Sequence, residues 1–336
     1  MVNNHISYPA SERSFFALLR KGIHRQALAA NFSEQKINHI DLIVAEITSN
    51  LEKYATGGEV LCAVIGEGPA QYLEIISIDN GPGINDLSSV LLDGISSSTT
   101  LGYGLGSIKR LSDFFSIYSQ VGWGTILVSR IYKSDIKRTI EPVLVSHLIL
   151  AKPFETVSGD GCMYTNTELY FKLMVIDGLG HGTEANKVVI EANDFFQSYR
   201  LAGPDELIRA MHPVLKKTRG GVGTVVIYDK RNKLFKIVGV GNISTKAIDG
   251  NEVRNIMSYN GIIGHNIPNT MTEYVIQAKD FRYLILCSDG IKSRWDFTKH
   301  PTILRYDPII LAAAIYKDFG RQTDDMSVVI LKVNQL

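Results

Sequence analysis

Residues 173–182 read Leu-Met-Val-Ile-Asp-Gly-Leu-Gly-His-Gly. An apolar run of strand type ends on Asp177, and glycine follows at once. That ending sets a carboxylate and a free carbonyl in one concave loop. Residues 75–84, Ile-Ile-Ser-Ile-Asp-Asn-Gly-Pro-Gly-Ile, show the same order around Asp79. Alone, each is an ordinary turn signal, because Asp-Gly and Gly-Pro pairs mark turns that bind nothing. The other motifs along the chain decide how each is read.

Around Asp177 the second half repeats one theme. Asp160 stands in VSGDG, Asp289 in LILCSDGI and Asp324-Asp325 in TDDMSVVIL, each beside a strand-like run and most beside glycine. A hard divalent cation needs several oxygen ligands, and carboxylates are their usual source. Two such ions about 3.5–4 Å apart can share a carboxylate and activate a water for attack on phosphorus. LYFKLMVID, GVGTVVIYD, KLFKIVGVG, YLILCSDGI and MSVVILKV read as strands, with helices near 184–201 and 204–217. Strands with grouped helices predict a layered α+β domain.

The first half carries four patterns in order. Residues 34–55 hold a helical apolar stripe through Ile37, Ile40, Val44, Ile47 and Leu51. Glu46 and Asn50, four apart, share one face of that helix. An Asn oxygen suits Mg²⁺, and a carboxylate one turn away can take a proton from a hydroxyl. Asp79-Asn-Gly-Pro-Gly83 follows a strand, and its carboxylate can accept from an adenine amino group. Gly102-Tyr-Gly-Leu-Gly106 runs into an expected helix, SIKRLSDFFS, where exposed amides suit a phosphate chain. Gly122-Trp-Gly-Thr125 opens the last strand, GTILVSRIY.

In this order the first half resembles the Bergerat-fold (GHKL) ATPases, most closely the anti-sigma factor and switch-protein kinases of the RsbT type. The resemblance covers nearly all of residues 10–132. It implies an α/β sandwich that binds ATP and Mg²⁺. Glu46 is then the base, Asn50 the Mg²⁺ ligand and Asp79 the adenine reader. Gly81, Gly83, Gly102, Gly104, Leu105, Gly106 and Thr125 line the nucleotide. From about Val143 onward the chain resembles the metal-dependent (PPM) serine phosphatases of the SpoIIE, RsbU and RsbX branch, an α-β-β-α sandwich. That resemblance implies two Mn²⁺ or Mg²⁺ ions bridged by Asp177. The Gly178 carbonyl sits on one of them, Asp289 and Asp324 complete the other, and Asp160 supports the site. Asp325 and His181 rank lower. No arginine precedes Asp160 in the place where the eukaryotic branch grips phosphate, as is general in the SpoIIE branch.

The expected organisation is a kinase-like domain over residues 1–133, a linker at 134–142 and a phosphatase domain over 143–336. The formal net charge is +1, from 35 basic and 34 acidic residues, which gives no electrostatic reason for nucleic acid or an anionic membrane as partner. No apolar run reaches membrane-spanning length, the N-terminus lacks signal-peptide order, and three cysteines lack metal spacing. A cytoplasmic protein is expected. By resemblance its partner is a phosphoserine or phosphothreonine protein of the STAS or stressosome type. The oligomeric state stays open, a dimer included. The functional readings are a kinase-phosphatase switch, a phosphatase gated by ATP without transfer, and an ATP-dependent partner-binding module.

Overall fold

The computed structural model describes residues 4–91, 101–135, 141–200, 203–250, 252–300 and 302–334, with the side chains of 101–103 set aside. They form two compact units. One comprises His5–Thr139 and Thr298–Ala314; the other comprises Met1–Asn4, Ile140–Phe297 and Ile315–Leu336.

The first unit runs β1 (Ile6–Pro9), α1 (Arg13–Ala29), α2 (Glu34–Tyr54), β2 (Gly58–Ile65), β3 (Tyr72–Asp79), α3 (Leu87–Leu91), α4 (Leu101–Leu111), β4 (Phe114–Gln120) and β5 (Gly124–Tyr132). Its strands make one sheet, ordered β1-β2-β3-β5-β4, antiparallel throughout. Ser33 caps α2 by accepting from the Lys36 amide at 3.3 Å. The stripe foreseen on α2 is buried, and it packs with Val60, Cys62, Leu73, Ile75, Leu127 and Ile131 of the sheet. Helices therefore cover one sheet face.

Two expectations are corrected here. The Gly102–Gly106 stretch is not a loop before a helix, because α4 already begins at Leu101. Glycine costs a helix about 1 kcal/mol, but a Cβ on Gly104 would lie 2.9 Å from Glu46 Oε2 and 3.2 Å from Asn50 Oδ1. Close approach of α4 to α2 is what the glycine permits. The helix also stops at Leu111, so Phe114-Phe-Ser belongs to β4. The Ser112 hydroxyl donates to the Ile108 carbonyl at 2.7 Å, and the Asp113 amide then donates across to the Arg130 carbonyl at 3.0 Å.

The second unit contains β6 (Val143–Leu150), β7 (Asp160–Asn166), β8 (Tyr170–Gly178), α5 (Thr183–Ser198), α6 (Pro204–Leu215), β9 (Gly221–Asp229), β10 (Leu234–Val240), β11 (Ser244–Asp249), β12 (Glu252–Ile256), β13 (Tyr274–Gln277), β14 (Tyr283–Cys287) and β15 (Met326–Val333). Helix α7 (Pro308–Phe319) begins in the first unit and ends in the second. Two five-stranded sheets form, ordered β13-β10-β9-β8-β7 and β12-β11-β14-β15-β6. Along β8, Phe171, Leu173 and Val175 enter a core shared with Leu284, Leu286, Val329 and Leu331 of the other sheet. The alternate residues Met174 and Ile176 pack instead with Val188, Val189, Leu207 and Met211 of α5 and α6. Burial on both faces explains why this strand reads as a continuous apolar run.

The units depart from the expected split at 134–142. Residues 298–314, coded between Asp289 and Asp324, group with the N-terminal unit. Within that grouping lies a buried ionic network on the sheet face opposite α2. Arg130 of β5 donates to Glu74 of β3 through Nε, and both of its terminal nitrogens reach Asp307, at 3.2 and 3.0 Å. His5 Nε2 lies 3.2 Å from the same glutamate. Burial alone would raise the Glu74 carboxyl, yet Arg130 and the hydrogen bond with His5 hold it down at about 2. Nearby, His300 packs on Trp123 and Tyr118 with ring centroids 4.5 and 5.8 Å away.

Removing Arg130 strands two carboxylates. Arg130→Met is expected to destabilise this unit by about 3–5 kcal/mol, seen as an earlier first transition in calorimetry. In the wild type the Glu74 contribution is complete above its ordinary value of 4.5 and is lost as pH falls towards about 2. An acid titration of the same transition should show that loss, and Arg130→Met should abolish it.

Candidate functional sites

The first unit holds a cavity open to solvent, between α2, α4 and the sheet. Ile47, Leu51, Ile84, Leu105, Ile117 and Leu127 make apolar walls, and Tyr54 stands at the rim. Asp79, at the end of β3, is the acidic residue among its lining side chains. Its Oδ1 accepts from the Gly81 amide at 2.7 Å and the Thr125 amide at 3.1 Å. Those two amides fix the carboxylate at the cavity wall. Thr125 Oγ1 lies 2.9 Å from Ser119 Oγ, whose hydroxyl also accepts from the Ile84 amide at 2.8 Å. Gly83 has φ +76°, and a Cβ there would fall 2.1 Å from the Gln120 carbonyl oxygen. The second carbon is forbidden twice over, by conformation and by space.

The foreseen residues Asn50, Asp79, Gly81, Gly83, Leu105 and Thr125 all line this cavity. Glu46 does not line it, but faces Gly104 beside Asn50. Among the described residues Asn50 Nδ2 is buried without a hydrogen-bond partner, a donor that a bound oxygen would satisfy. Gly102 and Gly106 lie within α4, and the Gly102 side-chain position falls outside the described set. Sequence reading missed Tyr54, Ser77, Ile117 and Leu127. Their periodicity marks them only as core.

In the second unit the acidic residues collect where strands of both sheets end. Asp160 opens β7 and stands opposite Asp177 in the ladder. Asp177 is the penultimate residue of β8, and Gly178, which closes the strand, stands opposite Gly221. A Cβ on Gly178 would lie 2.5 Å from the Ala185 carbonyl, so glycine lets α5 begin against this loop. Asp289 follows β14 and accepts from Asn242 Nδ2 at 3.0 Å. Ser288 joins the two sheets. Its hydroxyl donates to Asp160 Oδ2 at 2.6 Å and accepts from the Ser327 amide at 2.9 Å. Asp325 is committed to backbone, accepting from the Lys152 and Gly159 amides, each at 2.8 Å. That makes it a fastener for loop 152–159. Asp324 accepts from the Asp325 amide at 2.9 Å.

These carboxylates repel one another. Burial first, then Asp160, Asp289, Asp324 and Asp325, push the Asp177 carboxyl far up. Asp160 is also raised, chiefly by burial and against its hydrogen bond from Ser288. Among the described residues Asp160 Oδ1 is buried without a hydrogen bond of good geometry, although the Ser327 hydroxyl acts to lower this carboxyl. An orphaned carboxylate oxygen beside four further carboxylates fits a divalent cation or its bound water. Among the described residues, no three His, Cys, Asp or Glu side chains close round one point as a finished cage. The Gly178 carbonyl and waters would have to share the coordination. His181 contacts Glu155 Oε1 through Nδ1 at 2.7 Å, a partner the sequence did not suggest.

Residues 168–334 match the family described as Stage II sporulation protein E (SpoIIE), a span that includes Asp177, Asp289 and Asp324 but not Asp160. The serine/threonine-protein kinase RsbT of Bacillus subtilis (strain 168) is 40% identical over 86 residues, 26% of this chain. The chain spans 65% of the length of that relative. A solved chain from work on the bacterial stressosome, described as a modular system adapted to control secondary messenger signalling, is 26% identical with TM-score 0.52. It covers 57% of this chain and 100% of its own. RsbX in complex with magnesium, 17% identical with TM-score 0.51, covers 59% of this chain and 98% of its own and shares the fold. The C-terminal half thus carries a SpoIIE-type domain, and the chain also holds an RsbT-like stretch.

A carboxyl raised by folding makes the folded state hold its proton longer, so stability falls as pH rises above the ordinary 3.8. In chelator, the second unit should melt later at pH 5 than at pH 8. Asp177→Asn should narrow that gap, raising the pH 8 transition by about 2–4 °C for each kcal/mol of repulsion relieved.

Proposed function

We propose that the second unit is a metal-dependent protein serine/threonine phosphatase. The first is an ATP-binding, serine kinase-like domain that serves the same signalling switch. The observation that carries the phosphatase reading is the mutually repelling carboxylate set of Asp160, Asp177, Asp289 and Asp324 at the ends of two sheets. Such a set is stable when cations neutralise it. Asp177, Asp289, Asp324 and the Gly178 carbonyl would hold two Mn²⁺ or Mg²⁺ ions, with Asp160 in support through Ser288. When bound, the ions would neutralise phosphate charge and provide a water activated for attack on phosphorus. The chain's own part is positional. Asp325 ties down loop 152–159, Ser288 sets the Asp160 carboxylate, and Asn242 orients Asp289. The target would be a phosphoserine or phosphothreonine on a small STAS-type partner.

In the first unit the apolar cavity suits a purine, with Asp79 reading its amino group. Asn50 would contribute to Mg²⁺, and Glu46 would accept the proton of an incoming hydroxyl. Phosphoryl transfer asks mainly for positioning and charge neutralisation, which this sparse set can supply. A second reading, in which ATP gates the phosphatase without transfer, is favoured by the placement of residues 298–314. That segment lies in sequence between Asp289 and Asp324, yet its Asp307 and His300 are fastened to β4 and β5, strands that also line the nucleotide cavity.

With Mn²⁺ and a phosphoserine STAS protein, the wild type should release phosphate. Asp177→Asn and Asp289→Asn should each lose more than the ~10–100-fold typical of an outer-shell change, and Ser288→Ala should fall within that range. Equal release by all four proteins would end the assignment of this acidic cluster as the phosphatase site, and no release by the metal-loaded wild type would end the phosphatase reading. With labelled ATP, Glu46→Ala should abolish transfer to the partner. If a non-hydrolysable ATP analogue alters phosphate release equally in the wild type and Glu46→Ala, gating is the operative role.

A further inference from the structure

One arginine stands beside the loop that leaves Asp177. Arg219 lies two residues before β9, whose first residue Gly221 faces Gly178 across the ladder. Its backbone is held from both sides. The Leu179 amide donates to the Gly220 carbonyl at 3.0 Å, the Gly221 amide and carbonyl both bond Ile263, and His265 Nε2 lies 2.8 Å from the Arg219 carbonyl oxygen. Gly220, at φ +70°, has no room for a Cβ, which would meet the Ile263 carbonyl at 2.7 Å. The arginine is thereby set beside the loop that leaves Asp177.

Its side chain behaves differently. The guanidinium lies over Gly180, where Nη1 would be 2.8 Å from a Cβ. It fills the volume that a side chain at position 180 would take. Among the described residues it makes no hydrogen bond or ion pair, although Asp177 is only three residues from Gly180. The exposed Glu184 feels its charge without bonding it. A cation over the loop that follows Asp177, fixed in its backbone and without a hydrogen bond or ion pair among the described residues, is suited to an anion arriving from outside. The planar fork matches two phosphate oxygens at once.

We propose that Arg219 is the substrate-binding residue that grips the phosphate presented to the acidic cluster. This assignment rests on the phosphatase reading for its biological meaning, and its test is arranged to stand apart from it. The full chain loaded with Mn²⁺ would be titrated with inorganic phosphate by calorimetry, comparing wild type, Arg219→Ala and Arg219→Gln. Loss of a charge-assisted, two-pronged contact should weaken phosphate binding about 10- to 100-fold, while Mn²⁺ affinity stays unchanged. With p-nitrophenyl phosphate the same variants should raise KM more than they lower kcat. Arg219→Lys should recover part of the affinity. Phosphate binding equal to wild type in both Ala and Gln variants would overturn the assignment, as would a wild type that binds no phosphate. A wild type that binds phosphate but hydrolyses nothing would fault the phosphatase reading alone, since the binding difference still decides the role of Arg219.

Discussion

Like charges cannot be packed at the ends of two sheets without something to offset them. Asp160, Asp177, Asp289, Asp324 and Asp325 are brought together because β7 and β15 begin where β8 and β14 end. The protein offsets part of the repulsion itself. Two backbone amides hold Asp325, the Asn242 amide holds Asp289, and one hydroxyl holds half of Asp160. Asp177 receives the remainder, and its carboxyl is the most strongly raised of the group. Apolar burial elsewhere in the sandwich must hold this arrangement in place, at about 25 cal/mol per Å² removed from water. A site built against its own stability is a common signature of function.

The unit fastens this edge with few parts. Ser288 bonds one sheet to a carboxylate of the other. Asp325 reaches from the start of β15 to the loop before β7. Gly178 admits α5, and a Cβ on Gly290 would strike the Asp325 carbonyl at 2.0 Å. Each part shortens the distance between elements far apart in sequence. Together they fix where a cation would sit before any cation arrives, which would limit reorganisation on binding.

Strand patterns made much of this legible. The five runs named in the second half became β8, β9, β10, β14 and β15, because apolar residues on both faces leave little ambiguity. Acidic residues at strand ends were visible for the same reason. Ser288 and Arg219 were not, since a serine beside an aspartate and an arginine in a Lys-Lys-Thr-Arg run look like ordinary surface. Their roles depend on pairing between distant strands. The glycines of α4 misled for a different reason. Glycine suggests a loop, but here it serves close helix packing against Glu46 and Asn50. The grouping of residues 298–314 with the first unit could not be read either, because Arg130, Glu74 and Asp307 meet only in three dimensions.

The β4–β5 hairpin shows how one element can serve two surfaces. Side chains alternate along a strand. Ile117, Thr125 and Leu127 face the cavity, while Tyr118, Gln120 and Arg130 face residues 298–314. The turn between the strands is pinned from the cavity side, since the Gly122 amide donates to the Pro82 carbonyl at 2.8 Å and the Thr125 amide to Asp79. On the other side Gln120 Oε1 meets His300 Nδ1 at 3.0 Å and accepts from the Tyr118 hydroxyl at 2.9 Å. Paired strands in a close-packed unit do not bend residue by residue. Asp79 and the turn are thus tied to the one hairpin that carries Gln120 and Arg130. Those two side chains hold a segment whose sequence neighbours, Asp289 and Asp324, belong to the acidic cluster.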